Sequence, residues 1–326
     1  MKKNIVIEGV VYRLRPVVLD DASYIIKLRL EDLSRTKYIN PISDDIDIQK
    51  MWISEYLKKE NDYYFIIENM FTNKAEGLIG IYNIEDGKAE WGRWVISKSS
   101  MSAVESVDLI YQVAFNKLGL DELYCRTIVD NVSVVAFHDN LPQKRRKILE
   151  KYLSINNVLY DVIEHYVDKN YYQNDLRFQL EPKSDLALTR SLRLLLGKME
   201  FHHIGVATKD IERDFSTYRI LGYKREGDYF TDEIQGVKGQ FIISNNQPRL
   251  ELLENLTGSN TLNKWIENGV KNYHFAYIVD DIESAIVNLG QKRFRVISPL
   301  KLSSYFGKRI CFLVMPNRFM IELIER

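Results

Sequence analysis

Short apolar-rich runs, some alternating with polar residues and some continuous, at 11–17, 63–67, 77–84, 89–96 and 123–129 predict strands. Between the last two, apolar residues recur at helical spacing over 104–118 and stop at Gly119, a residue that closes helices at low steric cost. From about residue 181 the pattern changes. The stretch EPKSDLALTRSLRLLLGK (181–198) has a polar start followed by Leu186, Leu188, Leu192, Leu194, Leu195 and Leu196, and predicts a helix between two strand-rich regions, packed on one of them. The chain is therefore divided into 1–182, a linker helix at 183–198, and 199–326.

The last region repeats itself. HIGVATKDIE from His203 resembles HFAYIVDDIE from His274, and ELLE from Glu251 resembles ELIE from Glu322; both matches are displaced by 71 residues. Each copy reads strand, a helix opened by Asp-Ile-Glu, and three further strands, a βαβββ unit. The shared register sets two histidines and two glutamates at equivalent, otherwise apolar strand positions. A carboxylate in such surroundings costs several kcal/mol unless it is paired or meets a cation. His203, Glu251, His274 and Glu322 together point to a divalent metal, and two imidazoles with two carboxylates suit Co, Mn, Ni, Fe or Zn with positions left open for water or substrate. His202 alternates to the opposite face of the strand and is not expected as a ligand.

Composition narrows the function classes. The 326 residues hold 45 Lys plus Arg against 45 Asp plus Glu, so the net charge is zero. A nucleic-acid partner, which rewards a basic excess, is not expected. No apolar run is long enough to span a bilayer and the first residues form no signal-peptide core, so a cytoplasmic protein without a membrane partner is expected. Cys125 and Cys311 lie far apart in apolar runs and read as buried thiols rather than a disulfide or a metal site.

The segments FHHIGVATKDIE, LGY, IQGVKGQFII, PRLELLE, YHFAYIVDDIE and FMIELIE, which run through nearly all of 200–326, resemble the vicinal oxygen chelate superfamily, and within it the methylmalonyl-CoA epimerases. Carried over position by position, that resemblance puts the metal ligands on His203, Glu251, His274 and Glu322, and it implies that Glu322 doubles as the base that moves an α-proton. Some family members supply a second carboxylate from the strand after QGV. Here that strand reads Lys238-Gly239-Gln240-Phe241 and offers none, which leaves glyoxalase-type isomerisation open beside epimerisation. Extradiol-type oxygenases need two His and one carboxylate, and Glu251 argues against them.

In the first half WVIS, AFNKLGLDELYCRTIVDN and VVAFHD resemble the GNAT acyltransferases, especially the branch that acylates amino sugars and ribosomal protein N-termini. The two resemblances together imply an α+β chain: a mixed sheet flanked by helices, then two βαβββ repeats. GNAT proteins hold the CoA pyrophosphate on backbone N–H groups of a Gly-rich loop that opens a helix. The corresponding stretch here, 98–105, has no glycine, so Ser99, Ser100, Ser102 and Ala103 would supply the contacts, with Asn131 after the following strand serving either CoA or the start of the next helix. The resemblance places an amine-activating carboxylate at Glu90 and the acid for the leaving thiolate at His138; from the residues alone Glu90 also reads as a solvated strand position and His138 as a packing or capping residue. Lys144-Arg145-Arg146-Lys147 reads as a solvated helix face, and Tyr63-Tyr64 and Tyr171-Tyr172 as sheet packing.

These expectations describe a bifunctional enzyme: an N-acyltransferase using acetyl-CoA or another acyl-CoA, with an amine acceptor such as a nucleotide-linked amino sugar, joined to a metal-dependent epimerase or isomerase. A homodimer is compatible with both halves. The alternatives are a single metalloenzyme with a non-catalytic GNAT-like domain, or drug sequestration, which calls for a wide hydrophobic cleft and no metal.

Overall fold

The computed structural model describes residues 4–141, 145–155 and 157–326. The chain forms two compact units, Met1–Ser191 and Leu192–Arg326, so the division falls inside the segment expected as a linker helix. No helix among the described residues is long and apolar enough to cross a membrane.

The first unit has strands β1 (Ile7–Glu8), β2 (Tyr12–Pro16), β3 (Tyr63–Asn69), β4 (Lys74–Glu85), β5 (Lys88–Ile96), β6 (Glu122–Ile128), β7 (Arg145–Ile155) and β8 (Val158–Asp168), in the sheet order β1-β2-β3-β4-β5-β6-β8-β7. Its helices are α1 (Ala22–Leu30), α2 (Leu33–Thr36), α3 (Ile46–Lys58), α4 (Ala103–Gln112), α5 (Val132–Asp139), α6 (Lys169–Tyr171) and the start of α7 (Arg177–Leu196). Strand alternation builds a core on each face of the sheet. Tyr64, Ile66 and Leu78 meet Ile25, Leu28, Ile53 and Tyr56 of α1 and α3, while Phe65, Ile67 and Ile79 turn to Val107, Ile110 and Tyr111 of α4. Asp86-Gly87, both at positive φ, close the β4–β5 hairpin. Both cysteines of the chain are buried and free.

The pairing of β5 with β6 opens a cleft. It is the one parallel pairing in this sheet among the described residues, and it lasts only from Lys88↔Glu122 to Glu90↔Tyr124. β5 then continues to Ile96 along β4, and β6 continues to Ile128 along β8. The two strands diverge and leave a wedge that opens beyond Glu90.

Two expectations change in this unit. Arg145, Arg146 and Lys147 lie on β7, paired with Tyr166, His165 and Glu164 of β8, so they are strand residues rather than a helix face; Lys144 is outside the described residues. The helix expected from residue 183 begins at Arg177 and contains Pro182, which tolerates a helix interior only by giving up one backbone hydrogen bond. It does not keep to a single region: Leu180, Ala187 and Leu188 pack in the first unit, whereas Leu192, Leu195 and Leu196 pack in the second. Leu186 and Leu194 are exposed and stand outside the expected apolar stripe.

The second unit consists of β9 (Met199–Ala207), α8 (Ile211–Ile220), β10 (Lys224–Asp232), β11 (Val237–Ser244), β12 (Gln247–Asn255), a short helix α9 (Asn263–Glu267), then β13 (Asn272–Val279), α10 (Ile282–Gln291), β14 (Arg295–Leu302), β15 (Arg309–Val314) and β16 (Met320–Glu325). The sheet order β10-β11-β12-β9-β13-β16-β15-β14 is symmetric about the β9–β13 pair, as two βαβββ copies require. The repeated Asp-Ile-Glu has a physical reason in each copy. Asp210 and Asp281 are helix N-caps that accept hydrogen bonds from the N–H of Arg213 and Ser284, Ile211 and Ile282 are buried under the helix, and Glu212 and Glu283 sit in the first turn where the helix dipole favours an anion.

Candidate functional site

The four repeated residues stand on the four central strands of the second unit: Glu251 on β12, His203 on β9, His274 on β13 and Glu322 on β16. Register brings them level. Gly205 pairs with Glu251 on one side and His274 on the other, while Ala276 pairs with His203 and with Glu322. All four side chains are buried, and one ligand atom from each lies within 4.8 Å of the others. His203 Nε2 is 3.0 Å from Glu251 Oε2, 3.1 Å from His274 Nε2 and 3.6 Å from Glu322 Oε2, and His274 Nε2 is 3.6 Å from Glu322 Oε2. Donors about 2.1 Å from one shared ion lie about 3.0 Å apart at a right angle and about 4.2 Å apart when opposed. The observed spacings fall in that range.

Electrostatics agree with the spacing. Burial pushes Glu251 up to about 7 and Glu322 up to about 8, and it pushes His203 down to about 3 and His274 down to about 4. Two carboxyls and two imidazoles converge, and His274 Nδ1 is buried with no hydrogen-bond partner. The donor set fits a divalent ion, whose charge would favour both carboxylates in ionised form.

His202 is placed differently from the strand expectation. The β9–β13 register slips between Ala276↔His203 and Tyr277↔Phe201, so His202 is a bulge residue and strict alternation fails there. Its ring packs on Phe241 and Phe306 beside His203, and its Nδ1 is 2.8 Å from His203 Nδ1, while Arg249 donates to its Nε2 at 2.7 Å. His202 is thus an orienting partner of His203 rather than an outward residue.

Gly205 is the second feature that sequence reasoning missed. A Cβ there would lie 2.0 Å from His274 Cε1, so the imidazole occupies the space a side chain would need. The legible signal was a small residue two positions after each His, Gly205 and Ala276, on the same strand face. Gly205→Ala is expected to displace the His274 ring and weaken metal binding by about 10–100-fold, the range seen when outer partners of a ligand are lost; calorimetric titration with Co²⁺ or Mn²⁺ checks this.

In the first unit the wedge forms a cavity of about 480 Å³ lined by Tyr82, Glu90, Trp94, Arg126, Asn131 and His138, among others. Three of the expected residues therefore share one cavity. Glu90 is buried and accepts from Arg126 at 2.9 Å and Asn83 at 3.1 Å; burial raises its pKa, opposed chiefly by Arg126. It is not a solvated strand residue. His138 packs against Trp91, Phe137 and His165 with Cys125 Sγ 3.6 Å from its Nε2, and burial pushes it down to about 3. Its ring, 1% exposed, forms part of the cavity wall. Asn131 sits at the N-cap position of α5, its side chain making no cap bond.

The serine loop stands apart from that cavity. Ser99 borders a second cavity of about 710 Å³ together with Lys27, Lys74 and Lys98. Ser102, at the N-cap position of α4, is fully buried and its N–H already donates to Ser100 Oγ at 3.1 Å. Ala103 opens the helix, and in the same turn Glu105 is buried and accepts from the backbone N–H of Val11 at 2.8 Å. Tyr63 and Tyr64 are buried on β3 as expected, whereas Tyr171 ends α6 and Tyr172 opens the next helical segment, so that pair packs from a helix and not from the sheet.

Comparison with known proteins bears on both units. The family model described as the glyoxalase/bleomycin resistance protein/dioxygenase superfamily matches residues 202–325, and that of the GNAT acetyltransferase domain matches residues 12–141. Among similar solved structures are an apo nucleotide-linked sugar GNAT, FdhC, at 26% identity over 55% of this chain and 98% of its own (TM-score 0.45); a probable GNAT-family acetyltransferase from Chromobacterium violaceum at 17% identity over 52% and 89% (TM-score 0.48); and a variant spermidine N-acetyltransferase from Vibrio cholerae at 17% identity over 51% and 98% (TM-score 0.44). No curated protein matches the chain. With the βαβββ repeats in one unit and the splayed β5–β6 pair in the other, the chain joins a GNAT acetyltransferase domain to a domain of the glyoxalase/bleomycin resistance protein/dioxygenase superfamily.

Proposed function

We propose that the second unit is a metal-dependent epimerase or isomerase, resembling methylmalonyl-CoA epimerase, and that the first transfers an acyl group from acyl-CoA to an amine. The observation that carries the metal reading is the convergence of four buried donor atoms within 4.8 Å. A divalent ion held by His203, Glu251, His274 and Glu322 supplies Lewis acidity toward a carbonyl oxygen, which makes the neighbouring C–H more acidic. Glu322 then takes the α-proton. Deuterium exchange at the α-carbon of methylmalonyl-CoA in D₂O, with Co²⁺-loaded protein, tests the reading; no exchange above a metal-stripped control would refute it.

For the first unit, Glu90 in the wedge is the residue that supports acyl transfer. A water held by its carboxylate would take the proton of the incoming ammonium, leaving a neutral amine to attack the thioester carbonyl while the thiol departs. Glu90→Gln should lower kcat with acetyl-CoA and a 4-amino-sugar nucleotide by about 100-fold, with KM for acetyl-CoA little changed. Free CoA release measures it, and an unchanged kcat removes Glu90 from the role. The glycine-free loop, with the Ser102 N–H already engaged, favours a second reading in which this unit binds without catalysing. Titrating acetyl-CoA into the full chain separates the two: no heat at millimolar ligand leaves the second unit as the sole enzyme.

A further inference from the structure

Arg13, Arg15, Arg93 and Arg126 of the first unit each meet a buried carboxylate, from Glu68, Asp21, Asp62 and Glu90 respectively. Arg29, on α1, has no such partner among the described residues. Its Nη2 donates to the backbone carbonyl of Asn40, its Nε is buried with no acceptor, and Tyr64 is the group that opposes the burial of its charge. A cation drawn out of water without a counter-charge is costly unless an anion completes it.

Arg29 lines a cavity of about 450 Å³ together with Asn40, Gln49, Lys59 and Arg93. None of the described residues on that wall is acidic, so three cations face one space, and Asp62 pairs with Arg93. Gln49, 5% exposed, adds a buried amide. The cavity adjoins the wedge that holds Glu90, since Ile39, Asn40 and Arg93 border both. Arg93 reaches this shared wall because β5 bulges there. Leu78 pairs with Val95 and Gly80 with Gly92, so two residues stand opposite Ile79, and Arg93 takes a positive φ of 49°. Its guanidinium lies 5.6 Å from the centre of the Tyr64 ring and 4.5 Å from that of Tyr82, whose hydroxyl is 3.4 Å from Glu90 Oε1. Contacts therefore run from Arg29 through Tyr64, Arg93 and Tyr82 to Glu90.

We infer that this cavity receives an anionic group of the amine acceptor, with Arg29 as its counter-charge, while the amine lies in the wedge at Glu90. The inference rests on the acyl-transfer reading of the first unit and narrows its acceptor. For a nucleotide-linked amino sugar the anionic group is the phosphate. A polyamine, cationic along its length, is rejected by the same wall of like charge.

The test uses the full chain and a 4-amino-sugar nucleotide. Titrated without acetyl-CoA, wild-type protein should bind the nucleotide, and Arg29→Gln should weaken binding at least about 10-fold, the scale of a hydrogen bond to a charged group. In turnover with acetyl-CoA the same variant should raise KM for the nucleotide by a like factor with kcat little changed. It should leave KM for the same amino sugar without its phosphates unaltered. Its melting temperature should hold or rise, because an uncompensated charge has been removed, whereas loss of an arginine kept for folding would lower it. Lys59→Glu, a charge reversal at an exposed position on the same wall, should shift binding in the same direction if Arg29→Gln folds poorly. Absence of nucleotide binding in the wild type, or equal binding by wild type and both variants, overturns the subsite. Inorganic phosphate that binds in an Arg29-dependent way without competing with the nucleotide makes the cavity a separate anion site and overturns the acceptor role. Nucleotide binding that depends on Arg29 but yields no acetyl transfer is a different result: it upholds the anion site and overturns the underlying acyl-transfer reading.

Discussion

Glu322→Gln is expected to slow deuterium incorporation at the substrate α-carbon by about 10²–10⁴-fold, the usual contribution of a positioned general base. The amide keeps a carbonyl oxygen where the carboxylate oxygen lies 3.6 Å from both His203 and His274, so a donor remains for the ion while the proton acceptor is lost. Burial raises the pKa of Glu322, with His203 as the leading opposing influence and Glu251 adding to the rise. Glutamine matches glutamate in shape and lacks its basicity. Metal content measured beside exchange separates the two roles: a variant that holds metal and does not exchange supports Glu322 as base, whereas one that exchanges at the wild-type rate excludes it.

The second large effect is a metal-dependent change in how stability responds to pH. In the metal-free protein Glu251 and Glu322 hold their protons up to about 7 and about 8, against an ordinary value of 4.5 in the unfolded chain. The folded state therefore binds more protons above that ordinary value, and stability falls as pH rises through the interval. His203 and His274 act in the opposite sense. Their ordinary value of 6.5 drops to about 3 and about 4, so the unfolded chain gains protons first and stability falls as pH declines below 6.5. The two slopes oppose each other between 4.5 and 6.5, and above 6.5 the carboxyl slope acts alone, a loss of a few kcal/mol at about 1.4 kcal/mol per pKa unit. A bound divalent ion removes that loss by stabilising the ionised carboxylates. The difference in melting temperature between loaded and stripped protein should widen from pH 6 to pH 8. A difference that stays flat over this range would mean that the tetrad carboxyls do not meet the ion.

The two-copy architecture was legible because symmetry doubles a weak signal. His203 and His274 alone are two strand histidines; their common displacement with Glu251 and Glu322 makes them a set, and the sheet places the four on adjacent central strands. His202 was misread because period-two alternation assumes an unbroken ladder, and the bulge in β9 is a tertiary consequence of pairing with β13. In the first unit β2 to β6 followed from pattern, whereas β7 and β8 did not, and the partner that fixes Glu90, Arg126, belongs to a neighbouring strand and leaves no local trace. His138, placed by family position, does reach the cavity, where it packs against Trp91, Phe137 and His165.

The central claim is that His203, Glu251, His274 and Glu322 hold one divalent ion. Elemental analysis of protein loaded with Co²⁺ and freed of excess metal tests it most directly, with His203→Ala and His274→Ala beside the wild type. The expected result is about one ion per wild-type chain, with affinity in each variant reduced by more than the roughly 10–100-fold cost of losing an outer partner. Variants that retain a full equivalent at wild-type affinity would contradict the account.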